Sequence, residues 1–122
     1  MTECLRRRLQ LAEAFRGCGP LMAALGDETR QQIVIALLEG EQPGLRVGEI
    51  SARTHLSRPA VSHHLRILRE AGVVDMRRRG TMNFYFMSAG AAWRQLSELA
   101  RQVEAIAGRA EAAGYPHLPE DG

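Results

Sequence analysis

Between Arg53 and Arg79 the chain carries seven arginines (53, 58, 66, 69, 77, 78 and 79) against two carboxylates, Glu70 and Asp75. Guanidinium groups concentrated in this way mark a surface that meets a polyanion, although the net charge of the whole chain is only +2. From Ser57 onward, Val61, Leu65 and Leu68 recur at helical spacing and must face a core. That phasing turns Arg58, Ser62, His63, Arg66 and Arg69 to the opposite side. Guanidinium, hydroxyl and imidazole groups are the ones that hydrogen-bond phosphate oxygens and base edges. Ser57 and Ala60 in the first turn join them, because the N-terminal end of such a helix is the part that reaches base edges. Arg77, Arg78 and Arg79 follow in a segment that reads as a hairpin tip, where they could reach a minor groove or backbone phosphates. One arginine alone is most often a solvated surface charge. The set, in this order, points to DNA.

The elements that must position these groups can be read from the same pattern. Residues 5–16 place Leu5, Leu9, Ala12 and Phe15 at helical spacing, and Gly17, Gly19 and Pro20 end that helix. A second helical stretch runs from Pro20 to Glu39, interrupted at Gly26-Asp27, with Ile33, Val34, Leu37 and Leu38 as its buried stripe. After the loop 40–45 comes a short helix from Val47 to Thr54, burying Val47, Ile50 and Ala52, and a turn at His55-Leu56. Ser57 reads as the N-cap of the next helix, Pro59 sits in its first turn, and Gly72 stops it. The period then changes to that of strands over 73–77 and 82–87, with Arg78-Arg79-Gly80-Thr81 as the tip between them. A long helix from Ala91 to Ala113 carries Trp93, Leu96, Ala100, Val103, Ala107 and Ala110 as its apolar seam.

The expected fold class is therefore mainly α with a two-stranded β wing: a winged helix-turn-helix. Its 122 residues suit a single domain. Residues 1–19 form an N-terminal helix segment, 20–88 the DNA-binding core and wing, 89–113 the C-terminal helix and 114–122 a flexible tail. Hydrophobic residues at 45% suffice for one core. No apolar run approaches the ~20 residues of a membrane span, and Arg6, Arg7 and Arg8 are followed by no apolar signal segment. The expected location is the cytoplasm, away from any membrane. No nucleophile–base pair, glycine-rich phosphate loop or metal-ligand cluster is visible, so an enzyme is not expected and no cofactor is implied.

Several stretches also carry a family resemblance. Leu25-Gly26-Asp27-Glu28-Thr29-Arg30 with Ile33 and Leu37-Leu38, Leu45-Arg46-Val47-Gly48-Glu49-Ile50, the run from Ser57 to Leu65, and Leu68-Arg69-Glu70-Ala71-Gly72-Val73-Val74 with its basic wing together resemble the ArsR/SmtB-type family of small repressors. The resemblance covers roughly residues 20–88. It implies a homodimer, joined through the first and last helices, that binds double-stranded DNA at an imperfect palindromic operator and leaves when an inducer binds. An interaction module that uses the same fold to bind DNA or protein without an inducer is the alternative.

What would be sensed is less constrained. The resemblance implies cysteine in the segment Leu45–Ile50 of metal-responsive members, and Arg46 stands there instead. The resemblance implies a second metal site with histidine ligands on the last helix, and no histidine lies between His64 and His117, so neither of the family's metal sites is expected. Cys4 and Cys18 remain. Three readings of them stay open: small apolar residues without a role, a thiol switch or site for an oxidant, persulfide or arsenical formed across a dimer, and a metal site shared with a histidine. Cys18 lies between Gly17 and Gly19 before a helix start, where backbone N–H groups favour a thiolate. Of the histidines, His63 is expected to face DNA, His64 to pack beside Val61 and Leu68, His55 to belong to the turn and His117 to the tail. Trp93 is expected in a dimer core rather than a ligand site.

Overall fold

A computed structural model describes residues 2–113. The expected tail 114–122, with His117, lies outside them. In chain order the elements are α1 (Glu3–Gly17), α2 (Gly19–Leu25), α3 (Glu28–Glu39), α4 (Val47–Thr54), α5 (Arg58–Glu70), β1 (Val74–Arg79), β2 (Met82–Met87) and α6 (Ala91–Ala113).

The interruption at Gly26-Asp27 is real and has an electrostatic cause. Asp27 caps α3, its carboxylate accepting the Arg30 backbone N–H at 2.9 Å. That bond holds the carboxyl below its ordinary range. Arg30 then reaches back: its Nε donates to the Ala24 carbonyl at 2.8 Å, and a terminal nitrogen donates to Ala23 at 3.2 Å. A cation thus satisfies carbonyls that α2 leaves free at its C-terminus. The Asp27–Arg30 segment ties the start of α3 to the end of α2.

The core lies between α2, α3, α4, α5 and the base of the wing. Ile33, Ile50, Val61, Leu65, Leu68 and Val73 are its most completely buried large side chains. The buried face of α3 is Ile33, Val34, Ala36 and Leu37. Leu38 was expected among them and is 65% exposed, because Ala36 takes the other flank of the stripe. Ala52, expected to be buried on α4, is exposed as well. Ile50 alone anchors that short helix in full.

The turn between α4 and α5 depends on His55, whose backbone is left-handed with φ 60°. It closes α4 by donating its backbone N–H to the Ser51 carbonyl, while the Ser51 hydroxyl donates to the Leu56 carbonyl. Ser57 caps α5 as expected, accepting the Ala60 N–H at 3.2 Å, with Pro59 in the first turn. The helix ends at Glu70, and Gly72 follows with φ 79°.

In the wing, Arg79 pairs with Met82, so the tip is Gly80-Thr81 alone. The four-residue tip expected from sequence is corrected: Arg78 and Arg79 join Arg77 as strand residues, and β1 starts at Val74. Gly80, at φ 61°, supplies the left-handed residue such a tight turn demands. Leu45 adds a single antiparallel bridge to Tyr85, with its N–H donating to the Tyr85 carbonyl at 2.9 Å and its carbonyl accepting in return at 2.8 Å. Gly44 makes this approach possible: its φ is 131°, and a Cβ there would collide with the Tyr85 carbonyl. Tyr85 and Met87 pack against the core.

Helix α6 packs on α1 and on the body through Ala92 and Leu99. Of its expected seam, Leu96 is half-buried, and the side chain of Ala110 lies outside the described residues. Trp93, expected in a dimer core, rests against its own protomer and donates its indole N–H to the Val73 carbonyl at 3.3 Å. Ala100, Val103 and Ala107 are exposed. Among the described residues no helix is long and apolar enough to cross a membrane.

Candidate nucleic-acid interface

Helix α5 divides its residues sharply. Val61, Leu65 and Leu68 are buried to 0, 1 and 0% exposure, and Ser62, His63, Arg66 and Arg69 stand exposed on the other side. The helix is thus clamped along one stripe and free along the next. His64 is half-buried, as its neighbours Val61 and Leu68 imply, and its Nδ1 has no partner among the described residues.

Ser62, Arg66 and Arg69 line one wall of an open groove of about 630 Å³, whose other wall includes Asp75 and Tyr85 of the wing. Arg66 and Arg69 form no ion pair among the described residues. The pairs that do form lie within α1, at the starts of α3 and α4, and within α6. In α6, Arg101 draws the Glu98 carboxyl down to about 2. Among the described residues the arginines of α5 and the wing carry no such neutralising partner, so their charge is available to another molecule.

The wing splits its own basic run, because successive strand residues face opposite ways. Arg77 and Arg79 share a face with Phe84 and Phe86, and the Arg77 guanidinium lies 5.9 Å from the Phe86 ring centroid. Arg78 points to the other face, opposite Asn83, and its Nε donates to the Gly80 carbonyl at 3.0 Å. Adjacent arginines therefore reach different sides of the hairpin.

The remaining expected site residues are placed less simply. The Ser57 hydroxyl is occupied as the cap of α5, and Ala60 is half-buried. Arg58 is exposed but folds back over Gly48 of α4 instead of standing away from α5. Sequence reasoning missed Gly48; its signal was a glycine inside a short helix.

Cys4 and Cys18 are both free, at opposite ends of an unbroken α1. Their separation is about 21 Å at 1.5 Å per residue, so they form no bond within this fold. Cys4 is exposed; Cys18 is 3% exposed, with its sulfur 3.8 Å from the Gln95 carbonyl of α6. Among the described residues no group of three or more His, Cys, Asp or Glu side chains is placed to hold a metal ion.

Residues 27–76, from the cap of α3 to the first wing strand, match the sequence profile described as "Bacterial regulatory protein, arsR family". The chain is 42% identical to the transcriptional activator HlyU of Vibrio cholerae over 69 residues, 57% of this chain and 61% of that protein. It is 34% identical to the transcriptional repressor SdpR of Bacillus subtilis over 65 residues, 53% of this chain and 69% of that one. Among solved structures, an ArsR-like transcriptional regulator from Rhodococcus superposes with a TM-score of 0.70 at 25% identity, over 84% of this chain and 90% of its own.

Proposed function

The chain belongs to the ArsR family of bacterial regulatory proteins, and from that premise we propose a homodimeric repressor that lays α5 in the major groove of an imperfectly palindromic operator. A transcriptional regulator of this family binds DNA and is not an enzyme. The observation that carries the finer reading is the unpaired guanidinium face of α5, clamped from behind by Val61, Leu65 and Leu68. Ser62, His63 and Arg66 serve the base edges, Ser57 and Ala60 stand at the entering end with Arg58 at its flank, and Arg77, Arg78 and Arg79 contact the flanking backbone.

Selection of duplexes from a random-sequence pool, followed by mobility shifts across a salt series, tests this. Binding is expected to weaken steeply with salt, since each neutralised phosphate releases counterions. Arg66→Ala costs about 1–3 kcal/mol of binding and relaxes base preference at one position in each half-site. Absence of any shift at low salt contradicts the repressor reading and leaves a protein-interaction module in its place.

The dimer rests on the apolar residues that α1 and α6 leave open: Leu5, Leu9 and Phe15 on α1, and Val103 on α6. Two such faces, brought together by a twofold axis, bury one another. For release, the exposed Cys4 is the group a thiol-reactive inducer meets first, whereas Cys18 is enclosed against α6. Treatment with oxidant, polysulfide or arsenite is expected to weaken DNA binding of the unmodified protein and not of a Cys4→Ser/Cys18→Ser variant. A double variant that still releases DNA on treatment removes the thiols from the mechanism. HlyU is named an activator and SdpR a repressor; a reporter driven by the selected operator gives the sign for this chain, repression being expected.

A further inference from the structure

Gly48 is the second residue of α4 and is half-buried. Glycine weakens a helix relative to alanine, and the backbone gives no reason for it here, since Gly48 is not among the positive-φ glycines. The reason is space. A Cβ on Gly48 would stand 2.9 Å from one terminal nitrogen of Arg58, 3.2 Å from its Cζ and 3.6 Å from the other nitrogen. The guanidinium of Arg58 fills the volume that a side chain would take.

The place where Arg58 rests is a groove between α4 and the wing tip, which Arg46, Glu49 and Asn83 also line. Arg46 is engaged there: its Nε lies 3.4 Å from a Glu49 carboxylate oxygen, and a terminal nitrogen lies 3.3 Å from the Met82 sulfur. Arg58 has no ion pair among the described residues. It is the groove's uncommitted cation. It sits at the flank of α5, against α4, in a different groove from the one that Ser62 and Arg66 line.

We infer that Gly48 is a positioning residue for DNA binding: its bare Cα seats the Arg58 guanidinium on α4, where it takes a backbone phosphate. This rests on the DNA-binding reading above. A guanidinium in this seat adds to affinity for every sequence alike, because phosphates carry no base identity. The helix keeps a residue that weakens it in order to hold the seat open.

The test compares wild type, Gly48→Ala, Arg58→Ala and the double variant on a duplex selected from a random pool by the wild type. Arg58→Ala is expected to weaken binding roughly tenfold or more and to lower the salt slope by about one unit, with base preference unchanged. Gly48→Ala is expected to do the same, and the double variant to bind within about twofold of Arg58→Ala, since both remove one contact. The Tm of Gly48→Ala is expected to equal or exceed that of wild type, because alanine favours the helix and the displaced group is the end of a flexible side chain. Wild-type affinity in Gly48→Ala, additive losses in the double variant, or an altered base preference overturns the inference. A lower Tm that Arg58→Ala fails to relieve does so too. If the wild type enriches no duplex at all, the DNA-binding reading fails and this one with it; the other outcomes sink this one alone.

Discussion

Leu65→Ala is expected to lower the stability of the protein by about 2–5 kcal/mol, the range for truncating a buried leucine. Leu65 is 1% exposed and belongs to the same buried cluster as Ile33, Ile50, Val61, Leu68 and Val73. The surrounding helices and the wing base meet there, so the void has little freedom to collapse. Against a total stability of roughly 5–15 kcal/mol for a domain, that is a large share. At roughly 3–6 °C per kcal/mol for a chain of this size, thermal unfolding should move down by more than 5 °C. DNA binding should fall at the same time, since Leu65 holds α5 by the face opposite Ser62 and Arg66. Leu38→Ala provides the contrast. Leu38 is 65% exposed, and its truncation should stay within about 0.5 kcal/mol. Equal Tm losses for the two variants would contradict the packing described for α3 and α5.

The contrast between Leu65 and Leu38 also shows where sequence suffices. Around Ser57 the local signals agree: a capping hydroxyl, a proline in the first turn, a strict apolar stripe and a glycine after the last turn. Each acts over a few residues, so α5 and its outward face were legible without any tertiary information. On α3 the run Ile33-Val34-Ile35-Ala36-Leu37-Leu38 is apolar throughout. Periodicity cannot choose which arc faces inward when every arc is greasy, and the packing of α2 and α4 made the choice. A related limit applies to Trp93 on α6, whose indole found a carbonyl of its own protomer at Val73.

The candidate site was legible to the level of helix face and no further. Arg58 folds onto α4 over Gly48, ten positions away and in another element. Spacing within α5 carries no trace of it. The bridge from Leu45 to Tyr85 was missed for a related reason: a single paired residue has no period. Gly44 was its only mark, as the residue that lets two backbones approach. Opposite orientations for Arg77 and Arg78 were implicit in strand alternation, but only once the tip shrank to Gly80-Thr81.

Leu9→Glu is expected to convert the proposed dimer into monomers and to weaken binding to its proposed operator by about 10²–10⁴-fold, the loss that follows when two linked half-site contacts become independent. Leu9 is 50% exposed on α1. In the protomer alone a glutamate there stays in water at little cost. In a twofold interface it would be buried without a partner, and because such an interface uses the same patch twice, each dimer carries the substitution twice. The effect on association therefore doubles while the effect on the fold stays small. Sedimentation at micromolar concentration should give a dimer for wild type and a monomer for Leu9→Glu, with far-ultraviolet circular dichroism unchanged. On a duplex carrying one half-site, the variant and a wild-type protomer should bind alike, since α5 is untouched. On the full palindrome only the wild type should gain. If Leu9→Glu remained dimeric and bound the full palindrome as wild type does, α1 would not be the interface, and the open apolar residues of α1 would need another occupant.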